Sequence, residues 1–93
     1  MWYVYFLRLA NGDFYVGDTH DHEQRLVHHN SGQVPSTRAY LPAVLAAYVA
    51  VADEKTANDL ERYFKSGSGK AVAIKRFGLK QPSATVDGPP IGE

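Results

Sequence analysis

Five residues carry side chains that can transfer protons or bind charged ligands, and their spacing allows a fold to bring them together. They are Tyr5, Tyr15, Arg25, His29 and Glu61. Phenol, imidazole and carboxyl groups are common acids and bases of enzyme sites, and a guanidinium binds anions. Each residue also has a purely structural interpretation, as a sheet tyrosine or a solvent-facing charge. Spacing alone does not decide between the two.

The relative position of the two tyrosines depends on a predicted hairpin. Residues 2–9 are rich in aromatic and branched side chains, and Asn11-Gly12 separates them from a second strand-like segment. A two-residue turn would place Tyr5 and Tyr15 on opposite faces of the ribbon. A three-residue loop with Gly12 in a left-handed conformation pairs Leu7 with Tyr15 and brings both tyrosines to one face. A shared site requires the second register.

Helices and one further strand must position the other candidates. The predicted elements are a helix from Thr19 or Asp21 to about 31, a loop over 33–42, a strand over 44–51, a helix over 53–65 and a short helix over 70–77. Arg25 and His29 are four positions apart and share a face of the first helix. We expect Ser68 to cap the last helix and Gly78 to end it.

Composition indicates a single globular domain. The chain has 93 residues, of which 44% are hydrophobic and 22% charged. We expect a domain over 1–80, followed by a disordered tail over 81–93 that is rich in Pro, Gly, Ser and Thr. The chain has no cysteine, which excludes disulfides, thiolate nucleophiles and sulfur-ligated zinc. The apolar run 43–52 is too short for a membrane span of roughly 20 residues, so we expect a cytoplasmic protein.

The charges are balanced in total but unevenly distributed. The net charge is zero, with −2 over 1–34, +4 over 35–80 and −2 over 81–93. The basic excess over 35–80 could contact a phosphate backbone. A solvated face of mixed charge is the competing interpretation.

Two other kinds of site are not supported. The glycine-rich segment before Lys70 is not a nucleotide-binding loop, because Phe64 and Ala71 stand where that motif needs glycine and a hydroxyl residue. The four histidines lack the spacing of a zinc helix, and His28 and His29 point about 100° apart.

Several motifs together resemble the GIY-YIG nuclease family over residues 2–77. Tyr3-Val4-Tyr5 corresponds to the first motif and Tyr15-Val16-Gly17 to the second. Residues 25–32 match the arginine–histidine–asparagine helix of the family, and Thr37-Arg38 matches its loop. Glu61 falls where the family keeps a metal-binding carboxylate. The sequence is similar to small bacterial single-domain members and to the nuclease domains of excision-repair and related structure-specific endonucleases.

The resemblance implies an α+β fold with a three-stranded antiparallel sheet flanked by helices, in the order β-β-α-β-α-α. It also implies phosphodiester cleavage with one divalent ion, Mg²⁺ or Mn²⁺. In that chemistry Glu61 holds the metal, Tyr5 orients or deprotonates the attacking water, Tyr15 bonds near the phosphate, Arg25 neutralises phosphoryl charge, and His29 positions or relays a proton. The residues expected to contact nucleic acid are Thr37, Arg38, Lys65 and Lys70.

The sequence departs from the family pattern at three points, and the first two of them motivate the non-catalytic alternative. Asp18 is an anion that could repel phosphate or recruit a second cation, no asparagine follows Asn58, and Tyr3 replaces a glycine. The leading hypothesis is an endonuclease for branched, nicked or distorted DNA in repair or recombination, with a protein partner or second copy aiding recognition. The alternatives are a non-catalytic nucleic-acid-binding module and a protein-interaction domain.

Overall fold

Three antiparallel strands form a sheet in the order β2-β1-β3 in the computed structural model, which describes residues 1–79. Strand β1 spans Trp2–Arg8, β2 spans Phe14–Thr19 and β3 spans Val44–Val51. With three helices, this architecture confirms the expected α+β fold and its element order. The predicted tail over 81–93 lies outside the described residues.

The hairpin between β1 and β2 adopts the three-residue register. Leu7 pairs with Tyr15, and the Leu9 amide donates to the Asp13 carbonyl at 2.9 Å. Gly12 has a φ of 92°, a conformation that side chains rarely tolerate. The turn therefore places Tyr5 and Tyr15 on the same face of the sheet, as the site hypothesis requires.

The first helix follows β2 directly. Helix α1 spans His22–Asn30, and Asp21 caps it by accepting a hydrogen bond from the Gln24 amide. Of the two predicted caps, Asp21 is thus the one used. A short 3₁₀ helix, Arg38–Tyr40, lies within the predicted loop 33–42.

The last two helices are joined at a single serine. Helix α2 spans Glu54–Lys65 with Asp53 as its cap, and helix α3 spans Gly67–Phe77. Ser66 caps α3 by accepting from the Gly69 amide, so the prediction that Ser68 is the cap is wrong. Gly78 ends α3 in the left-handed conformation, as predicted.

Each face of the sheet has its own apolar cluster. Helices α2 and α3 cover one face. The apolar cluster between these helices and the sheet consists of Val4, Phe6, Val16, Ala57, Phe64, Ala73 and Leu79. The opposite face buries Tyr5, Leu7, Leu9 and Ala43 against side chains that include Tyr15 and Leu26. The candidate tyrosines belong to this second cluster. Within residues 1–79, no helix has the length and apolar character needed to cross a bilayer.

Candidate active site

A buried chain of hydrogen bonds links a strand, a helix and a loop. The Tyr5 hydroxyl lies 3.0 Å from His29 Nε2, and His29 Nδ1 lies 2.8 Å from Thr37 Oγ1. When the ring proton is on Nδ1, that nitrogen donates to Thr37 and Nε2 accepts from Tyr5; the other tautomer reverses both directions. The three side chains are almost inaccessible, at 3%, 1% and 0% exposure. The chain can therefore hold or move a proton out of contact with bulk water.

The position of Thr37 corrects its predicted role. Its side chain is fully buried and its hydroxyl bonds His29, so it cannot contact a nucleic acid at the surface. Two backbone hydrogen bonds in loop 33–42 hold Thr37 next to His29. The Thr37 amide donates to the Val34 carbonyl, and the Tyr40 amide donates to the Thr37 carbonyl. Thr37 instead orients the imidazole. The hydrophobic pattern of the sequence does not reveal this contact, because it joins a helix residue to a loop residue eight positions later.

Tyr15 completes an aromatic group around His29. The ring centroid of Tyr15 lies 5.1 Å from that of His29 and 6.4 Å from that of Tyr5. Tyr15 remains half-buried, so part of this residue is accessible to a ligand. The two predicted tyrosines and the predicted histidine thus meet at one place.

Arg25 lies beside this group with its charge available to an anion. The guanidinium lowers the pKa of Tyr5 and disfavours protonation of His29, which places it near both. Among residues 1–79 it forms no ion pair or hydrogen bond of its own. It also lines an open cleft of about 480 Å³ along α1. Arg25 can therefore take up a phosphate without breaking a bond within the described residues.

Burial sets the protonation state of Tyr5. Desolvation raises the pKa of its phenol well above the usual value of about 10, and the neighbouring Tyr15 adds to this rise. Arg25 acts in the opposite direction and lowers this pKa, but with a smaller effect. Tyr5 is therefore a neutral hydroxyl at physiological pH in the metal-free protein. It can accept a proton only while passing its own proton to His29.

Lys65 on α2 links Glu61 to Tyr15. Lys65 Nζ lies 2.7 Å from Glu61 Oε2 and 5.8 Å from the centroid of the Tyr15 ring. The hydrogen bond that Lys65 donates to Glu61 raises the pKa of Lys65, which stays charged. Both residues line an open cleft of about 280 Å³. The structure thus places Lys65, predicted as a nucleic-acid contact, next to the predicted metal ligand.

Asp18 adds a second carboxylate next to Glu61. Its carboxyl group lies within hydrogen-bonding range of Glu61, and the Oδ2 atom is buried without a partner among the described residues. Burial and the proximity of Glu61 raise the pKa of Asp18 to about 6. The orphaned oxygen fits a hard divalent cation, which prefers oxygen ligands. Within residues 1–79 no group of three metal-ligating side chains occurs, so solvent or phosphate would supply the remaining ligands.

Two predicted nucleic-acid contacts lie at the surface, away from the hydrogen-bonded chain. Arg38 is exposed at the start of the 3₁₀ helix, directly after Thr37. Lys70 is exposed on α3. Arg38 therefore borders the site through its neighbour, whereas Lys70 belongs to a helix on the opposite face of the sheet.

Asn30 fixes the end of α1 to the start of β3, a contact that sequence reasoning missed. Its side chain accepts from the Ala43 amide at 2.8 Å and donates to the Ala43 carbonyl at 3.0 Å. This pair of bonds closes the loop that carries Thr37. The resemblance included Asn30 in a motif, but only the fold reveals its partner.

A second aromatic group lies on the same face as Tyr5. Tyr48 pairs with Tyr5 in the sheet, and its ring stacks on His22 with centroids 4.3 Å apart and an interplanar angle of 20°. Tyr3 contacts both rings edge-on, and Tyr48 remains 48% exposed. The sequence offered no signal for this group, because its members come from three elements.

Gly17 leaves the space that Tyr5 occupies. A Cβ atom at this position would collide with the Tyr5 hydroxyl and ring. That ring cannot move away freely, since it is buried and bonded to His29. We expect Gly17→Ala to lower the free energy of unfolding by about 1–3 kcal/mol and to displace Tyr5.

Urea unfolding and a cleavage assay of Gly17→Ala test this expectation. Gly67→Ala is the matched control, because a Cβ there meets nothing within 4 Å. The control should change stability by no more than about 0.5 kcal/mol. Equal stability of the two variants would show that the contact with Tyr5 imposes no constraint.

Protonation of His29 should destabilise the fold. Burial, Arg25 and His28 lower the pKa of His29 relative to the unfolded chain, in which it is about 6.5. The neutral ring therefore contributes stability that is complete above about pH 6.5 and is lost as the pH falls through the lower folded pKa.

Thermal unfolding at pH 7.5 and pH 5.0 measures this effect against His29→Gln. Asp18, whose pKa is raised, has the opposite pH dependence, but it is present in both proteins and cancels in the comparison. We expect the wild type to lose more stability on acidification than the variant. Equal losses would contradict the assignment of a buried neutral imidazole.

Comparison with known proteins decides the family of this fold and site. The family model described as the GIY-YIG catalytic domain matches residues 1–75, which include all five candidate catalytic residues. The chain belongs to the GIY-YIG family. This family is a nuclease family, so the match supports a nuclease function with DNA as the substrate. No solved structure gives a significant match.

The GIY-YIG chain is also similar to several bacterial proteins named UPF0213. It is 34% identical over 88 residues to one from Bacillus cereus, covering 82% of this chain and 92% of that protein. A protein from a second B. cereus strain is 40% identical over 62 residues, covering 66% and 65%. One from Serratia liquefaciens is 32% identical over 91 residues, covering 97% and 79%. That name states no activity, so these matches support the family and not the reaction.

Proposed function

We propose that this protein is a metal-dependent endonuclease that hydrolyses phosphodiester bonds in branched or distorted DNA. The observation that carries the proposal is the buried chain from Tyr5 to His29 to Thr37, next to the unpaired guanidinium of Arg25. A purely structural core does not require a hydrogen-bonded chain of this kind beside the unpaired guanidinium of Arg25. DNA of this kind arises during repair and recombination, where the enzyme would serve.

The residues around Glu61 fit the divalent ion that the family implies. Glu61 and Asp18 offer neighbouring carboxylates, and one Asp18 oxygen is buried without a partner in the described chain. When bound, Mg²⁺ or Mn²⁺ would polarise the phosphate and stabilise the leaving 3′ oxygen. Glu61 would hold the ion, and Lys65 would keep that carboxylate in place until the ion arrives.

Tyr5 and His29 would move the proton of the attacking water. Since the phenol is neutral, the water proton passes to the Tyr5 oxygen as the Tyr5 proton passes to His29 Nε2, over the observed 3.0 Å. Thr37 holds the imidazole in the required orientation. The water oxygen then bonds phosphorus, and the bond from phosphorus to the leaving oxygen breaks.

Arg25 would stabilise the charge that develops on the phosphoryl oxygens. A guanidinium with no partner in the described chain can bind two such oxygens at once. Tyr15 remains half-buried beside His29, in a position to bond the same phosphate. Arg25 and Tyr15 would act mainly on the transition state, because the charge on the phosphoryl oxygens is redistributed as the bond from phosphorus to the leaving oxygen breaks.

The aromatic group around Tyr48 supports a distorted substrate. Tyr48 is 48% exposed on the face that carries Tyr5, and an exposed aromatic residue can stack an unpaired base. Bases within a regular duplex are already stacked on their neighbours. The modest basic excess of +4 over residues 35–80 gives weak, sequence-independent attraction to phosphates.

A non-catalytic DNA-binding module is the second candidate, and Asp18 is the observation that favours it. An uncompensated carboxylate next to Glu61 would repel a phosphate if no cation bound there. Such a protein would retain Arg25 and Arg38 as phosphate contacts but would not cleave.

A cleavage and binding assay separates these two functions. Labelled branched, single-stranded and duplex DNA is incubated with Mg²⁺, Mn²⁺ or EDTA and with wild type, Tyr5→Phe or Tyr63→Phe. Tyr63 is an exposed tyrosine on α2 and serves as the matched control. We expect ion-dependent products from the wild type and the control, and a loss of at least about a hundredfold in Tyr5→Phe. Retained binding without cleavage of any substrate would favour the second candidate.

A further inference from the structure

The Asp18 carboxyl group is only partly satisfied by its contacts within the described residues. Asp18 pairs with Val4 in the sheet, so strand alternation directs it to the face covered by α2. The Oδ2 atom is buried and accepts no hydrogen bond from the described residues. Burying such a group without a partner costs free energy. An apolar residue or an asparagine would avoid this cost in the metal-free protein.

The charges around Asp18 indicate what would satisfy it. Glu61 lies within hydrogen-bonding range, Glu54 is a further anion nearby, and Lys65 is the cation that faces the group. Lys65 already bonds Glu61 Oε2, so Asp18 and Glu61 share one ammonium. The surplus of negative charge and of oxygen donors matches a divalent cation. Mg²⁺ is commonly held by one or two carboxylates, with water and phosphate as the other ligands.

We propose that Asp18 is a second carboxylate ligand, next to Glu61, for the divalent ion of this site. This inference rests on the proposed nuclease function and specifies the composition of its metal site. The two ligands come from different elements, β2 and α2, so the ion would join the sheet to the helix. Asp18 would then attract the ion rather than repel the substrate, because the bound cation reverses the local charge.

Direct ion binding by the intact protein tests the inference without relying on cleavage. Mn²⁺ is titrated into wild type, Asp18→Asn, Glu61→Gln and Glu54→Gln, and free Mn²⁺ is measured by electron paramagnetic resonance. Glu54→Gln is the matched control, since it removes the same charge near Asp18 without removing a ligand. We expect Asp18→Asn and Glu61→Gln to bind at least about tenfold more weakly than wild type, and Glu54→Gln to bind nearly as wild type does.

Thermal unfolding with and without Mg²⁺ guards against a folding defect. The amide introduced by Asp18→Asn could donate a hydrogen bond to Glu61, so this variant should be at least as stable as wild type without metal. Its stabilisation by Mg²⁺ should nevertheless be smaller, because an ion stabilises the folded state according to its affinity.

Three results would overturn the inference. The first is wild-type affinity in Asp18→Asn, the second is an equal loss in Glu54→Gln, and the third is the absence of Mn²⁺ binding by the wild type. Wild-type affinity in Asp18→Asn together with a loss in Glu61→Gln would remove Asp18 from the site and leave the nuclease proposal intact. The nuclease proposal itself is tested separately, by the cleavage assay.

Discussion

Replacing Glu61 by glutamine should abolish most DNA cleavage while leaving the fold intact. An amide oxygen binds a divalent ion far more weakly than a carboxylate does, and the ion provides much of the charge stabilisation. We expect the turnover rate to fall by at least about a hundredfold. The Glu61 side chain is 24% exposed and pairs with a lysine that is 51% exposed. Such a pair contributes about 0–1 kcal/mol to stability.

Single-turnover cleavage and thermal unfolding measure the two parts of this prediction. Glu54→Gln is again the matched control, because it lies on the same helix and carries the same charge. The control should cleave at nearly the wild-type rate. Full activity in Glu61→Gln would mean that this carboxylate does not hold the ion.

Arg25→Ala should reduce turnover much more than DNA binding. The guanidinium has no partner among residues 1–79 and lies beside Tyr5 and His29, where the phosphoryl group would react. Removing a donor that acts on the transition state commonly costs about 10²- to 10³-fold in rate. Loss of a single phosphate contact should weaken binding by less than about tenfold.

Arg38→Ala provides the contrast for Arg25→Ala. Arg38 has the same charge but is exposed on the 3₁₀ helix, outside the hydrogen-bonded chain. We expect its removal to weaken binding while the turnover rate of bound DNA stays nearly constant. The cleavage rate is measured at saturating protein, and the affinity for DNA is measured separately. If Arg25→Ala and Arg38→Ala had the same effect on the rate and the same effect on the affinity, the role of Arg25 would be contradicted.

Local sequence signals predicted the elements of the fold well. Strand β3 has the predicted bounds, and the three-residue hairpin register brought Tyr5 and Tyr15 together. These features follow from side-chain alternation and from a glycine that the turn requires. The cap of α3 was mistaken because Ser66 and Ser68 have the same chemistry and differ only in where the first helical turn begins.

Contacts between distant elements could not be predicted in the same way. The burial of Thr37, the two bonds from Asn30 to Ala43 and the stacking of His22 on Tyr48 all depend on tertiary packing. The resemblance to a family supplied the candidate site residues, but not what they contact. Asp18 was visible in the sequence as a departure from the family pattern. Its unpartnered oxygen and its closeness to Glu61 emerged only from the fold.

A crystal structure of Tyr5→Phe with Mn²⁺ and a branched DNA would test most directly whether ion, phosphate and proton path meet at one site. The slow variant should retain its substrate, and anomalous scattering locates manganese without ambiguity. We predict a manganese peak at Glu61, with a DNA phosphate between it and the Arg25 guanidinium, next to residue 5. A phosphate backbone bound on another surface, or manganese away from Glu61, would contradict the nuclease assignment.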